Sequence, residues 1–253
     1  MPEVNGDTYI AKIMNDYGRE LIQLYPKLPG GMFDGLDSVA LYSLIRAVKP
    51  EHILEIGSYI GRSTCIIAQA LEYNEKGRLT TCDLEEQSEV TKKNVTKLFP
   101  NICLMIPTNP NITTPMKFTF LKGKIENNLD KIEDIDFLFI DGPHTAEFMK
   151  WCHKNVFPKV KPGSFVCIHD INFSYGINWR YAVETEGEYL INLLKEGTCP
   201  LEKVSWMEDW CLNDGFRDER NKLYQDIPFV GKWGILNPPD SGSLSIWVLK
   251  EDK

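Results

Sequence analysis

Ile53-Leu-Glu-Ile-Gly-Ser-Tyr-Ile-Gly-Arg-Ser-Thr64 decides how the rest of the chain is read. Its apolar start is that of a buried strand, Gly57 and Gly61 mark a turn, and Arg62-Ser-Thr opens a helix. Glycines let backbone approach a ligand closely, and a helix start presents free N–H groups that favour an anion. Two phosphate binders fail here. A phosphate loop needs G-x-x-x-x-G-K-[ST], but the second glycine comes one residue early and Arg62 replaces lysine. A dinucleotide fingerprint needs G-x-G-x-x-G, but position 59 is Tyr. What remains is E-x-G-x-x-x-G-x-S, with an acid, Asp83, ending the next strand. That pattern suits a small ligand carrying both a cation and an anion.

Outward from this stretch, strands alternate with helices. Apolar residues recur at helical spacing over 8–28, and Asp37 or Ser38 caps a second helix that runs to Val48 and stops at Pro50. Strand one is His52–Ile56, followed by a helix from Arg62 to Tyr73 and a second strand, Arg78–Cys82. A polar helix covers Glu89–Phe99, and Pro107–Thr119 is an exposed loop. Phe118–Lys122 is a strand, Lys124–Leu129 a short helix, and Ile135–Ile140 an apolar run of the kind buried on both faces. Ala146–Phe157 is a helix, Lys161-Pro-Gly163 a turn, and Ser164–Ile168 another buried strand. A helix follows at Tyr181–Lys195, residues 197–225 read as irregular, and Phe229–Leu236 with Ser243–Leu249 read as a closing antiparallel hairpin.

The expected fold is therefore α/β: a doubly wound, Rossmann-like, mostly parallel seven-stranded sheet with an antiparallel C-terminal hairpin strand and an N-terminal helical cap. The chain divides as a single domain, with a cap over 1–50, a ligand-binding core over 51–171, and an acceptor-side insert with the hairpin over 172–253. In such sheets ligands bind outside the carboxyl ends of the strands, where the strand order reverses. Glu55–Gly61, Asp83, Gly123, Asp141 and His169–Asp170 should thus converge on one rim.

A formal net charge of -8 leaves no broad basic face for a nucleic-acid backbone. No run is apolar and long enough to span a bilayer, and Met1–Asp7 lacks the apolar core of a signal peptide. The seven cysteines are scattered and never in a C-x-x-C pair, which points to a reducing, cytoplasmic compartment. The sequons at Asn94 and Asn111 are then chance matches.

The motif Glu55-Ile-Gly-Ser-Tyr-Ile-Gly-Arg-Ser63 resembles the class I S-adenosylmethionine-dependent methyltransferases, in the small-molecule O-methyltransferase branch that includes catechol O-methyltransferase. Phe139-Ile-Asp-Gly-Pro-His144 and Lys161-Pro-Gly-Ser-Phe-Val-Cys-Ile-His-Asp170 look like a bacterial branch that modifies sugars and natural products. The resemblance covers about residues 36–171. It implies S-adenosyl-L-methionine as cofactor, with Glu55 meeting its amine and Gly57, Ser58, Tyr59 and Gly61 lining its methionine arm. Ser63, beside Thr64, would bind the carboxylate; Asp83, followed by Leu84, would accept the ribose hydroxyls; Lys124 and Ile125, past Gly123, would flank the adenine.

For chemistry, the resemblance places catalytic groups at Asp141 and His144, with Asp170 as a second positioning acid. His144 stands where the catechol enzymes carry a basic lysine, and an imidazole near neutrality can serve as general base. Asp141 and Asp170, with His169 or Asn172, could instead hold a divalent cation such as Mg²⁺. The catechol branch has Asn directly after Asp, whereas Ile171 intervenes here, and imidazole is softer than Mg²⁺ prefers. Phe173, Tyr175, Trp179, Tyr181, Trp206, Trp210 and Phe216 could wall an acceptor pocket for a small molecule or saccharide. The first two helices could close over it as a lid, and the hairpin could pair across a homodimer. Two other functions compete: a nicotinamide-dependent oxidoreductase on a similar sheet, and a non-catalytic nucleoside-binding protein.

Overall fold

A computed structural model describes residues 6–30, 33, 35–100, 103–104, 117–171, 185–206 and 244–251. The helices are α1 (Gly6–Tyr17), α2 (Gly35–Val48), α3 (Arg62–Asn74), α4 (Glu85–Leu98), α5 (Ala146–Asn155) and α6 (Glu186–Glu196). The strands are β1 (His52–Ile56), β2 (Arg78–Asp83), β3 (Cys103–Leu104), β4 (Lys117–Lys122), β5 (Ile135–Ile140), β6 (Val160–Ile168), β7 (Leu201–Trp206) and β8 (Ser245–Leu249). They form one sheet in the order β3-β4-β2-β1-β5-β6-β8-β7. Seven strands have five residues or more, and the two-residue β3 is added at one edge. Pairing is parallel from β3 through β6, and β8 runs antiparallel between β6 and β7.

The central strands are buried on both faces: every residue of β1 is buried, and so are five of the six in β5. Two apolar clusters fill the space on either side of the sheet. One joins α1, α2 and α3 to residues such as Ile53, Phe137 and Phe139; the other joins α5 and α6 to Leu54, Leu138 and Ile140. Alternate residues of one strand thus feed opposite layers, as the two-residue period of a strand requires.

Helix α2 is part of this core rather than a lid. Eleven of its fourteen residues are buried. Leu41, Leu44 and Ile45 are fully so, each contributing roughly 1.5–3 kcal/mol of burial energy, which is too much to release at each turnover. The helix starts at Gly35, so Asp37 and Ser38 lie inside its first turn rather than capping it. Helix α6 does carry a cap. Thr185 accepts from Glu188 N at 3.0 Å, and the Glu188 carboxylate returns to Thr185 N at 2.7 Å, closing a reciprocal box.

The C-terminal pairing differs from the expected hairpin. β8 pairs with β7 and β6, so Leu201–Trp206, read as irregular, is the strand beside it. The alternation of Leu201, Val204 and Ser205 around charged Glu202 and Lys203 is broken by a register shift, which hid the strand from a period-two reading. Phe229–Leu236 lies outside the described residues, as do the loop positions 107–116 and the acceptor-wall residues Phe173, Tyr175, Trp179, Tyr181, Trp210 and Phe216.

Candidate active site

Four backbone bonds continue the ladder past the strand ends and draw the rim together. Gly57 N donates to Cys82 O (2.9 Å), Gly123 N to Asp83 O (2.8 Å), Asp141 N to Ile56 O (2.8 Å) and His169 N to Ile140 O (2.9 Å). The strand order reverses between β1 and β5, so Gly57 and Asp141 face each other across the switch point. Gly57 is required there: its φ is +88°, and a Cβ would sit 1.9 Å from the Asp141 carbonyl oxygen.

A cleft of about 460 Å³ opens at this point. Of the residues anticipated for the cofactor, Gly57, Tyr59, Asp83, Leu84, Gly123 and Lys124 line it, together with Ile125 and Asp141. The sequence reading missed Gln87, Glu126, Gly142, Pro143 and Phe148, which line it as well. The carboxylate of Asp83 is organised by backbone: Oδ2 accepts from Ser58 N (2.7 Å) and Tyr59 N (2.6 Å), and Oδ1 from Leu84 N (2.6 Å). Three N–H donors fix the acid where it meets the cleft.

Glu55, Ser63 and Thr64 lie behind the wall. Glu55 is fully buried and accepts from Ser63 Oγ and Thr64 Oγ1, each at 2.7 Å. Burial pushes its carboxyl up to about 7, against the pull of these hydroxyls. The acid therefore ties the end of β1 to the start of α3, and both side-chain hydroxyls are turned inwards onto it. Gly61 takes the left-handed N-cap position of α3, pressed against Thr91. Asn94 donates to Ile60 O at 2.8 Å, so this sequon asparagine holds the glycine loop to α4.

Beyond Gly57 the rim carries alternating acids and imidazoles. His144 Nε2 lies 3.6 Å from Asp141 Oδ1, and its Nδ1 lies 3.6 Å from Glu186 Oε2. Burial alone would lower His144, but Glu186, Asp141 and Asp170 hold it above its ordinary value. Glu186, the first residue of α6, is fully buried; that burial pushes its carboxyl up despite His144. His169 is enclosed, with Nδ1 3.1 Å from Asp141 Oδ1 and Nε2 3.4 Å from Asp37 Oδ2. Burial works against its charge, yet Asp141 and Asp37 hold it well above its ordinary value. In the same way Asp141, which burial would raise, is held below the carboxylate range by His169 and His144.

The ligand set anticipated for a cation changes accordingly. Asp141, His144 and Asp170 place ligand atoms within 4.8 Å of one another, whereas both nitrogens of His169 face carboxylates, where they act as N–H donors with no lone pair to offer. Asn172 lies outside the described residues. Strain collects here too: Tyr59, His144 and Asp170 are three of the six described non-glycine residues with positive φ. Asp37 and Glu186 were not anticipated as site residues. An acid on the buried face of an apolar helix was a readable signal for Asp37, but nothing in the local sequence around Glu186 distinguishes it from a first-turn acid favoured by the helix dipole. His52 and His153 are structural: His52 bonds Glu133 O and Thr80 Oγ1, and His153 bonds Tyr189 Oη.

A family model described as a methyltransferase domain matches residues 54–171. The match covers a little under half of the chain. It spans β1 through the end of β6 and includes the whole strand rim. Among solved structures, the chain is similar to the O-methyltransferase TomG from Streptomyces achromogenes, in complex with SAM, at 11% identity and TM-score 0.52, covering 94% of this chain and 90% of that one. It is also similar to cofactor-bound Rv0187 from MTB at 13% identity and TM-score 0.50, covering 100% and 93%. Both likenesses are of fold alone: the Rossmann-like, mostly parallel sheet flanked by helices described above. No curated protein matches its sequence.

Proposed function

We propose that the protein is an S-adenosyl-L-methionine-dependent O-methyltransferase acting on a hydroxyl of a small molecule or saccharide. The observation that carries this reading is the cleft at the strand switch point, lined by Asp83, which three backbone donors fix, and by Asp141, whose Oδ1 lies 3.6 Å from His144 Nε2. It agrees with the methyltransferase-domain match and with SAM-bound TomG.

S-adenosylmethionine supplies the methyl group as a sulfonium. The chain's own residues align and deprotonate. Asp83 accepts the ribose diol, while Leu84, Lys124 and Ile125 flank the base. Gly57 and Tyr59 border the methionine arm. Glu55, Ser63 and Thr64 serve one step back by fixing the glycine loop, so contact with the amine and carboxylate falls to the loop backbone. His144 would take the proton of the acceptor hydroxyl as the methyl–oxygen bond forms and the methyl–sulfur bond breaks, S-adenosylhomocysteine being the leaving group. Asp141, Glu186 and Asp170 surround the resulting imidazolium and stabilise it.

A second reading has its own observation: Asp141, His144 and Asp170 converge closely enough to share a divalent cation. Two carboxylates and an imidazole suit Mn²⁺ or a later transition metal better than Mg²⁺. A cation there would orient and acidify the acceptor hydroxyl, and His144 would then be a ligand rather than a base.

The chain acts as a single domain, with residues 1–50 and 172–253 flanking the core. Five described cysteines are buried and unpaired, in keeping with a reducing, cytoplasmic setting. No described helix is long and apolar enough to cross a membrane. A homodimer is compatible with this arrangement.

The test is transfer of labelled methyl from S-adenosylmethionine to a panel of phenols, saccharides and amines. Transfer to a hydroxyl that is lost in His144→Ala and unaffected by EDTA supports the base reading. Loss on EDTA treatment, restored by Mn²⁺, supports the cation reading. No transfer to any hydroxyl, with transfer to amines, refutes O-methylation.

A further inference from the structure

Asp37 lies outside the matched methyltransferase domain, yet it reaches the rim. It is fully buried in the first turn of α2. Its Oδ1 accepts from Leu244 N at 3.1 Å, where the chain enters β8, and its Oδ2 lies 3.4 Å from His169 Nε2. His169 caps the end of β6, and its side chain is only 3% exposed. Its other nitrogen lies 3.1 Å from Asp141 Oδ1 and 3.6 Å from Asp170 Oδ2. The Phe33 ring packs against the imidazole at 4.7 Å between centroids and leans on Phe139 at 5.6 Å. The imidazole is thus packed by a tilted aromatic ring and faces acids at both nitrogens, from α2 and from the segments that follow β5 and β6.

Burying such a set is poor value for stability. Desolvating ionic groups costs about as much as their attraction returns, and apolar residues of the same volume would pack as well. What the arrangement provides is orientation. Asp141 retains 24% exposure and lines the cleft, and its Oδ1 faces both His169 and His144. We propose that His169, braced by Asp37, is a positioning residue that sets the carboxylate of Asp141 for the reaction in the cleft. The inference rests on the methyltransferase reading for its functional consequence, but not for its geometry. It makes helix α2 and the start of β8 part of the catalytic apparatus, although neither touches the cleft.

Two substitutions separate positioning from bulk structure. In His169→Asn, the amide nitrogen can occupy the place of Nδ1 and keep the bond to Asp141 while losing Asp37. In His169→Gln, the amide reaches the place of Nε2, keeping Asp37 and losing Asp141. Crystal structures of both are expected to show the Asp141 carboxylate in place in the Asn variant and displaced by ~1 Å in the Gln variant. A displacement of that size should lower kcat by ~100-fold in the Gln variant, with KM for S-adenosylmethionine unchanged, and only a few-fold in the Asn variant. Asp37→Asn keeps an acceptor for Leu244 N and should give an intermediate loss, which provides a reading if either His169 variant fails to fold. An unmoved Asp141 in the Gln variant, or equal losses in two folded His169 variants, would overturn the proposal. If the wild type transfers no methyl group at all, the functional reading falls, and the crystallographic comparison still decides the positioning claim.

Discussion

Glu55→Gln tests whether this acid is the sealed structural group that its surroundings imply. The carboxyl is fully buried, and burial raises it from an ordinary 4.5 to about 7. The folded protein therefore holds this proton over a range in which the unfolded chain has released it. Stability from the group is complete below about pH 4.5, falls as pH rises, and is gone above pH 7. At about 1.36 kcal/mol per unit, a shift of roughly 2.5 units amounts to ~3 kcal/mol across that window. Glutamine is isosteric and does not titrate. It offers one carbonyl acceptor in place of two carboxylate oxygens, so either Ser63 or Thr64 must turn and accept from the amide. That exchange shifts stability by ~1 kcal/mol at every pH. The informative quantity is the difference between the two proteins at pH 5 subtracted from the difference at pH 8, because the constant offset and all shared titrations cancel. Urea melts at both pH values should show a swing of ~3 kcal/mol in favour of Glu55→Gln at the higher pH. A swing below ~1 kcal/mol, or one of opposite sign, would mean that the carboxylate is charged and solvated in the folded protein, and the structural role assigned to it would fail.

Asp83→Asn keeps the shape but removes the charge on which three backbone N–H groups converge. S-adenosylhomocysteine binding should weaken by ~100-fold by calorimetry, the scale of one or two charge-assisted hydrogen bonds, with little change in melting temperature. Gly57→Ala would drive a Cβ to 1.9 Å from the Asp141 carbonyl oxygen at a φ of +88°. It should destabilise the fold by ~3 kcal/mol or more and abolish nucleoside binding, and an alanine variant that binds with unchanged affinity would contradict the close approach of β1 and β5.

How far the sequence could be read follows from where its signals are local. The rim was legible because each of its residues ends a strand, and strand ends are marked by apolar runs that stop at Gly57, Asp83, Gly123, Asp141 and His169. Glu55 was legible as an acid at the right spacing but not as a buried one, since its two hydroxyl partners become neighbours only when α3 folds back onto β1. Asp37 and Glu186 reach the rim through contacts more than 40 residues away in sequence; the helical period marks Asp37 as an acid on a buried face without naming its partner, and nothing local marks Glu186. The strand Leu201–Trp206 was hidden because a register shift disrupts its alternation. Helix α2 looked like a lid because it precedes the first strand, and only packing shows that it lies within the core.

The most direct measurement is calorimetric titration of the wild-type protein with S-adenosylhomocysteine and, separately, with NAD, followed by a crystal structure of the complex that forms. The account predicts one molecule of S-adenosylhomocysteine per chain, its ribose on Asp83 and its sulfur turned towards Asp141 and His144. Saturable binding of NAD with no heat from S-adenosylhomocysteine, or a nucleoside seated away from Gly57, would contradict it.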